Sequence, residues 1–139
     1  MNERELILVI DFGGQYTQLI ARRIREASVF CEIVPHSAAW KELREKRPLG
    51  LVLSGGPASV YAEGAPQCDP HIFGGEVPVL GICYGMQLMA SLLKGIVRQG
   101  ERREYGSAQV TILKQDAIFQ GLPQEMPAWM SHGDLVESP

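Results

Sequence analysis

Val77-Pro78-Val79-Leu80-Gly81-Ile82-Cys83-Tyr84-Gly85-Met86-Gln87 decides the reading of the fold. Residues 77–82 form a short apolar run with a proline near its entry, the pattern of a strand buried on both faces. From Tyr84 to Leu93, the residues Leu88, Met89, Leu92 and Leu93 are spaced to pack one side of a helix. Between the two lies Gly-x-Cys-x-Gly, the spacing of a nucleophile elbow with cysteine in place of serine. Such a bend is tight, so the positions two residues to either side must carry little or no side chain. Gly81 and Gly85 meet that demand. The sulfur then stands above the end of a sheet, at the N-terminus of the following helix, where the dipole and open N–H groups suit a sulfur nucleophile.

Upstream, strands and helices alternate. Glu5–Ile10 reads as a strand stopped by Asp11-Phe12-Gly13-Gly14, and Gln15–Ala27 as a helix with Arg22, Arg23 and Arg25 facing outward. Val29–Val34 is a second strand, Ala38–Lys46 a short helix, and Leu49–Ser54 a third strand ended by Gly55-Gly56-Pro57. Ala58–Gly75 is a long connection rich in Gly and Pro, with one helical turn expected near Asp69–Phe73. The alternation predicts an α/β fold: an open, mostly parallel sheet with helices on both faces. Past Gly95, the segments Gly95–Gly100, Gly106–Leu113 and Met126–Met130 read as short extended pieces, predicted to form an antiparallel extension at one edge of the sheet.

The 139 residues suit one domain, and no linker, repeat or low-complexity segment divides them. With 45% hydrophobic and 21% charged residues, the chain has the composition of a globular protein. No apolar run approaches the ~18 residues that a membrane span needs. Leu6–Ile10 is too short for a signal-peptide core and is preceded by Glu3, Arg4 and Glu5, so a cytoplasmic location is expected. The net charge of −3 gives no electrostatic case for nucleic acid or an anionic membrane. Cys31, Cys68 and Cys83 are odd in number and form no CxxC, which argues against a disulfide framework or a zinc site. Cys31 and Cys68 read as small buried apolar residues; the bend singles out Cys83.

An acyl-transfer nucleophile needs donors for a developing oxyanion. The N–H of Tyr84, next after the cysteine, is the first candidate. The Ser54-Gly55-Gly56-Pro57 turn, at the carboxyl end of a neighbouring strand, is the second, although such a sequence also makes an ordinary turn. The three histidines, His36, His71 and His132, each read more readily as surface or ligand-contact residues than as the base. His132-Gly133-Asp134 has the spacing of a base and its orienting carboxylate, and that pairing is suspect on spacing alone.

Five segments together resemble the class I, triad-type glutamine amidotransferase domain, most closely as it occurs in glutamine-hydrolysing GMP synthases. They are Asp11-Phe12-Gly13-Gly14-Gln15-Tyr16-Thr17-Gln18-Leu19-Ile20-Ala21-Arg22-Arg23, Leu53-Ser54-Gly55-Gly56-Pro57, Gly81-Ile82-Cys83-Tyr84-Gly85-Met86-Gln87, Arg103-Glu104-Tyr105-Gly106 and Trp129-Met130-Ser131-His132-Gly133-Asp134. The resemblance implies a flavodoxin-like amidotransferase fold over residues 1–139. It implies that Cys83 attacks the side-chain amide of glutamine, forming a thioester and releasing ammonia. The N–H groups of Tyr84 and Gly56 correspond to the oxyanion hole. Gln87, Ser131, Gly133 and Asp134 correspond to groups that hold the substrate, the last three in a loop, and Tyr84 is expected to flank the pocket.

The resemblance implies no cofactor in this domain. Its implied partner is an ATP- and Mg²⁺-using synthetase, fused or separate, that converts XMP to GMP. In the family the catalytic histidine and its glutamate follow the Ser-His-Gly-Asp segment, so the domain is expected to be C-terminally truncated. A fragment that binds glutamine or a partner without turnover is the competing expectation, and a different cysteine-elbow hydrolase is a more distant one. Lys41–Arg47 and Glu101–Glu104 read as solvated charged stretches.

Overall fold

Leu6, Ile7, Leu8, Val9 and Ile10 are all apolar, so both faces of the strand they form must be covered. In the computed structural model, which describes residues 4–139 with the side chains of residues 101–105, 131 and 132 outside that description, this strand is β1 (Leu6–Asp11). It lies between β2 (Phe30–Pro35) and β3 (Gly50–Leu53), and β3 pairs with β4 (Val79–Gly81). All three pairings are parallel, and the order is β2-β1-β3-β4.

The period-two alternation of β1 sorts its side chains into two cores. Ile7 and Val9 face α1 (Thr17–Glu26), where they pack with Ala21, Cys31 and Val52. Leu8 and Ile10 face the opposite side, with Trp40 and Leu43 of α2 (Trp40–Glu45) and Tyr84 and Leu88 of α3 (Tyr84–Leu92). Burying a Leu or Ile of this kind contributes about 1.5–3 kcal/mol. The α/β fold, the parallel sheet and the helices on both faces are as expected. The strands and helices up to Leu92 begin and end close to their predicted limits.

The long connection is organised by one carboxylate. Asp69 accepts the Trp40 N–H, the first amide of α2, at 2.9 Å, and the His71 N–H at 3.0 Å in the 3-10 turn Pro70–Phe73. It thereby caps two helical starts from one position. The Trp40 amide, the His71 amide and the His71 ring hold its pKa down at about 2.

The antiparallel part differs in form from the expectation. The predicted short pieces are two long strands, β5 (Ile96–Thr111) and β6 (Glu125–Ser138), paired antiparallel as a two-stranded sheet of their own. The register shifts between Ile96 and Val97 and again between Gln99 and Glu104. Gly100, the charged residues 101–104 and Gly106 look like breaks in sequence. Gly106 takes φ +106 within the ribbon. Its base is held close to α3: the Gly95 N–H donates to the Ala90 carbonyl at 2.7 Å, and a Cβ at Gly95 would lie 2.4 Å from the Ser138 carbonyl oxygen. Among the described residues, no helix is long and apolar enough to cross a membrane.

Candidate active site

Cys83 is where β4 turns into α3, and its backbone (φ 50°, ψ −115°) lies outside the ordinary regions for a residue with a side chain. Holding it there costs about 1–3 kcal/mol, which neighbouring contacts must offset. Those contacts are main-chain. The Ile82 N–H donates to Leu53 O at 3.0 Å, the Gly85 N–H reaches Ser54 O at 3.1 Å, and the Gln87 N–H closes on Cys83 O at 3.0 Å. A Cβ at Gly81 would meet Met86 Cα at 2.7 Å, and one at Gly85 would meet both Cβ and the carbonyl oxygen of Leu53 at 2.5 Å. Neither neighbour is the free end of a side chain, so both positions require glycine. The backbone supplies the reason for the Gly-x-Cys-x-Gly spacing.

The three cysteines divide as expected. Cys83 is exposed, while Cys31 and Cys68 are buried. Burial pushes the Cys68 thiol up to about 11 and moves Cys31 in the same direction, so both stay protonated at neutral pH.

The loop after β3 lies against Cys83. The position of a Cβ on Gly55 is 3.4 Å from Cys83 Cβ. Ser54 is buried; its Oγ accepts the Phe12 N–H at 3.0 Å and donates to Gly55 O at 2.9 Å. A Cβ on Gly56 would sit 2.5 Å from Phe12 O, and one on Gly14 would sit 2.4 Å from Gly55 O. The loops after β1 and β3 are therefore packed backbone to backbone. Asp11 stiffens the first of them by accepting the Gly13 N–H at 2.8 Å and the Thr17 hydroxyl at 3.1 Å. Among the described residues, none accepts a hydrogen bond from the N–H of Gly56 or Tyr84.

The Tyr84 side chain does not flank the site as expected. Its ring is buried at 1% exposure against Phe12, with centroids 5.4 Å apart, and its hydroxyl donates to Pro66 O. The ring is drawn into the core because it fills the space between α3 and the loop after β1. The main-chain N–H of Tyr84 stands at the bend beside Cys83, at the first turn of α3. His36 stacks on the far side of this cluster against Phe12, with its Nδ1 2.9 Å from Gln67 O. His71 pairs with Asp69. Neither is hydrogen-bonded to Cys83 among the described residues, and the His132 side chain lies outside that description.

Gln87, one helical turn after Cys83, is buried, and its Nε2 donates to Asp134 O at 3.0 Å. Asp134 is itself buried and accepts the Ser59 hydroxyl on Oδ2. Gln87 and Asp134 are thus brought together. Ser131, Gly133 and Asp134 fall within β6 rather than a loop, as a correction to the expectation; Gly133 lies at the register shift, between His132 opposite Glu104 and Asp134 opposite Gln99. The Ser131 side chain lies outside the described residues. The sequence reading missed Ser59, whose partner is 75 positions away and which lies in a segment without periodicity.

The model of class-I glutamine amidotransferases matches residues 8–139. The chain belongs to the class-I glutamine amidotransferase family. Among curated members, it is 55% identical over 94% of its length to the GMP synthase of Carboxydothermus hydrogenoformans, covering 26% of that protein. It is 56% identical over 99% of its length to the GMP synthase of Caldanaerobacter subterraneus, covering 27%. A solved structure from Thermoplasma acidophilum, provisionally described as one subunit of a GMP synthase, superposes with TM-score 0.83 at 33% identity, covering 98% of this chain and 69% of that one. The chain spans about a quarter of the length of these curated relatives.

Proposed function

We propose that residues 1–139 form an amidotransferase domain that hydrolyses glutamine for a GMP synthase. The observation that carries this is the exposed Cys83 held at φ 50° against the Gly55-Gly56 turn, in a chain whose relatives at 52–57% identity are GMP synthases. The Cys83 sulfur attacks the side-chain amide carbon of glutamine, and the N–H groups of Gly56 and Tyr84 receive the charge that develops on the carbonyl oxygen. The C–N bond then breaks. Ammonia leaves carrying the proton given up by the thiol, and a γ-glutamyl thioester remains, which water opens to glutamate and the free thiol. Gln87, Ser131, Gly133 and Asp134 hold the amino-acid end of the substrate.

The ammonia passes to a synthetase partner, fused or separate, that uses ATP and Mg²⁺ to convert XMP to GMP. That ligase chemistry and its nucleotide sites belong to the partner, and the domain works in the cytoplasm. The competing reading, a binding fragment without turnover, predicts no glutamine-dependent ammonia release.

The test is to treat the intact protein with a glutamine-like diazo-ketone and map the adduct by mass spectrometry. One label on Cys83, slowed by glutamine and absent from Cys83→Ala, is expected. Ammonia release should fall on the order of 10⁴-fold or more in that variant. No adduct on Cys83, or ammonia release that survives its replacement, overturns the assignment.

A further inference from the structure

The strongest unassigned contact around the site is the grip on Asp134. A buried carboxylate is costly unless hydrogen bonds replace its water, and Asp134 is held at both ends by side chains from two other parts of the fold. Gln87 on α3 donates to its main-chain carbonyl at 3.0 Å, and Ser59, in the loop that continues from Gly56, donates to its carboxylate at 2.5 Å. The direction of the second bond is fixed. A carboxylate oxygen has no proton to give, so the serine hydroxyl donates, while the Tyr61 N–H, 3.3 Å from Ser59 Oγ, occupies one of its acceptor positions. The Ser59 carbonyl accepts the Ala62 N–H at 3.0 Å, so a turn holds the residue in place. One loop therefore carries both the Gly56 N–H and the Ser59 hydroxyl, while one turn of α3 carries both Cys83 and Gln87. The separation between the reacting sulfur and the Asp134 carboxylate is set from both sides.

We propose that Ser59 is a positioning residue that aims the Asp134 carboxylate at the α-ammonium of the substrate, and so selects an α-amino acid amide over the same amide lacking its amino group. This rests on the reading of Asp134 as a substrate-holding residue. A carboxylate offers about four acceptor positions, so a bond from Ser59 and one from an ammonium are compatible. Without the Ser59 hydroxyl, the carboxylate loses a bond that orients it and the ammonium is held less well. The amide end of the substrate, at Cys83, is unaffected.

The test compares L-glutamine, by its KM and kcat for ammonia release, with 4-carbamoylbutyrate, its des-amino counterpart, by its inhibition constant. Intact protein carrying Ser59→Ala, Ser59→Thr or Asp134→Asn is used. Ser59→Ala is expected to raise KM for glutamine about 10-fold, the scale for losing a hydrogen bond to a charged group, with kcat and the des-amino inhibition constant near their starting values. Ser59→Thr should restore glutamine KM. A Ser59→Ala variant that weakens both ligands alike, or neither, overturns the proposal, as does a threonine variant that behaves like alanine. Asp134→Asn separates the two layers. If it leaves the preference for glutamine intact, the reading of Asp134 fails. If it abolishes the preference while Ser59→Ala does not, only the role of Ser59 fails.

Discussion

Leu8, Val9 and Ile10 on β1 are at 1% exposure or less, whereas Trp129 on β6 is 75% exposed. The parallel sheet is sandwiched between helices, with its inner strands β1 and β3 apolar on both faces. The ribbon is a single pair of strands lying against α3, with a register shift partway along it. Yet the site draws on both: Cys83 and the Gly55-Gly56 turn come from the sheet, Asp134 from the ribbon. Cys83, the proposed nucleophile, sits at the end of the parallel sheet, where main-chain bonds from Ile82 and Gly85 fix the bend. Asp134, proposed to hold the substrate, sits on the ribbon and is tied to α3 and to the loop after β3 by Gln87 and Ser59.

The largest expected contrast is between Leu8→Ala and Trp129→Ala in urea unfolding. The first removes a fully buried side chain and should cost about 2–5 kcal/mol. The second removes a ring already in water and should stay within about 0.5 kcal/mol. Equal losses would mean that the ribbon is as tightly packed as the sheet. A smaller contrast tests why each region needs glycine. Gly85→Ala drives a Cβ into the Leu53 backbone and should cost about 3 kcal/mol. Gly106→Ala meets nothing within 4 Å and suffers only from its φ of +106, at about 1 kcal/mol. Gly85→Ala should also slow diazo-ketone labelling of Cys83, and Gly106→Ala should not.

The subtlest effect is acid sensitivity. Asp69 has a folded pKa of about 2, below its usual value of 3.8, so it contributes stability above roughly pH 4 that is lost as pH falls toward 2. The thermal midpoint of the native protein should exceed that of Asp69→Asn at pH 5, and the gap should narrow as pH falls to 2 and close below it. The two tryptophans let the regions be followed separately. Trp40 is buried beside Asp69, and Trp129 is exposed on the ribbon. Trp40 emission should track that gap in a Trp129→Phe background.

The parallel half was legible because its signals are local. Apolar runs mark its strands, Gly81 and Gly85 mark the bend, and both depend on residues a few positions apart. The ribbon was less legible because a two-stranded sheet leaves little hydrophobic alternation, and residues 100–106 carry charge and glycine as a turn does. Within the site, Cys83, Gly56, Tyr84, Gln87 and Asp134 were named from motif and resemblance. The destination of the Tyr84 ring and the Ser59–Asp134 bond were not. Each depends on which distant surface packs there, and neither Pro66 nor Asp134 is marked in sequence as a partner for those side chains.

The cramped bend at Cys83 is dictated by Leu53, Met86 and the two bare α-carbons at Gly81 and Gly85, and the sulfur has no part in making it. Geometry and reactivity are thus separately heritable. A lineage or an engineer can exchange the atom at the tip, oxygen for sulfur, and keep the scaffold unchanged, and a chain that has lost its chemistry still inherits the shape of an enzyme.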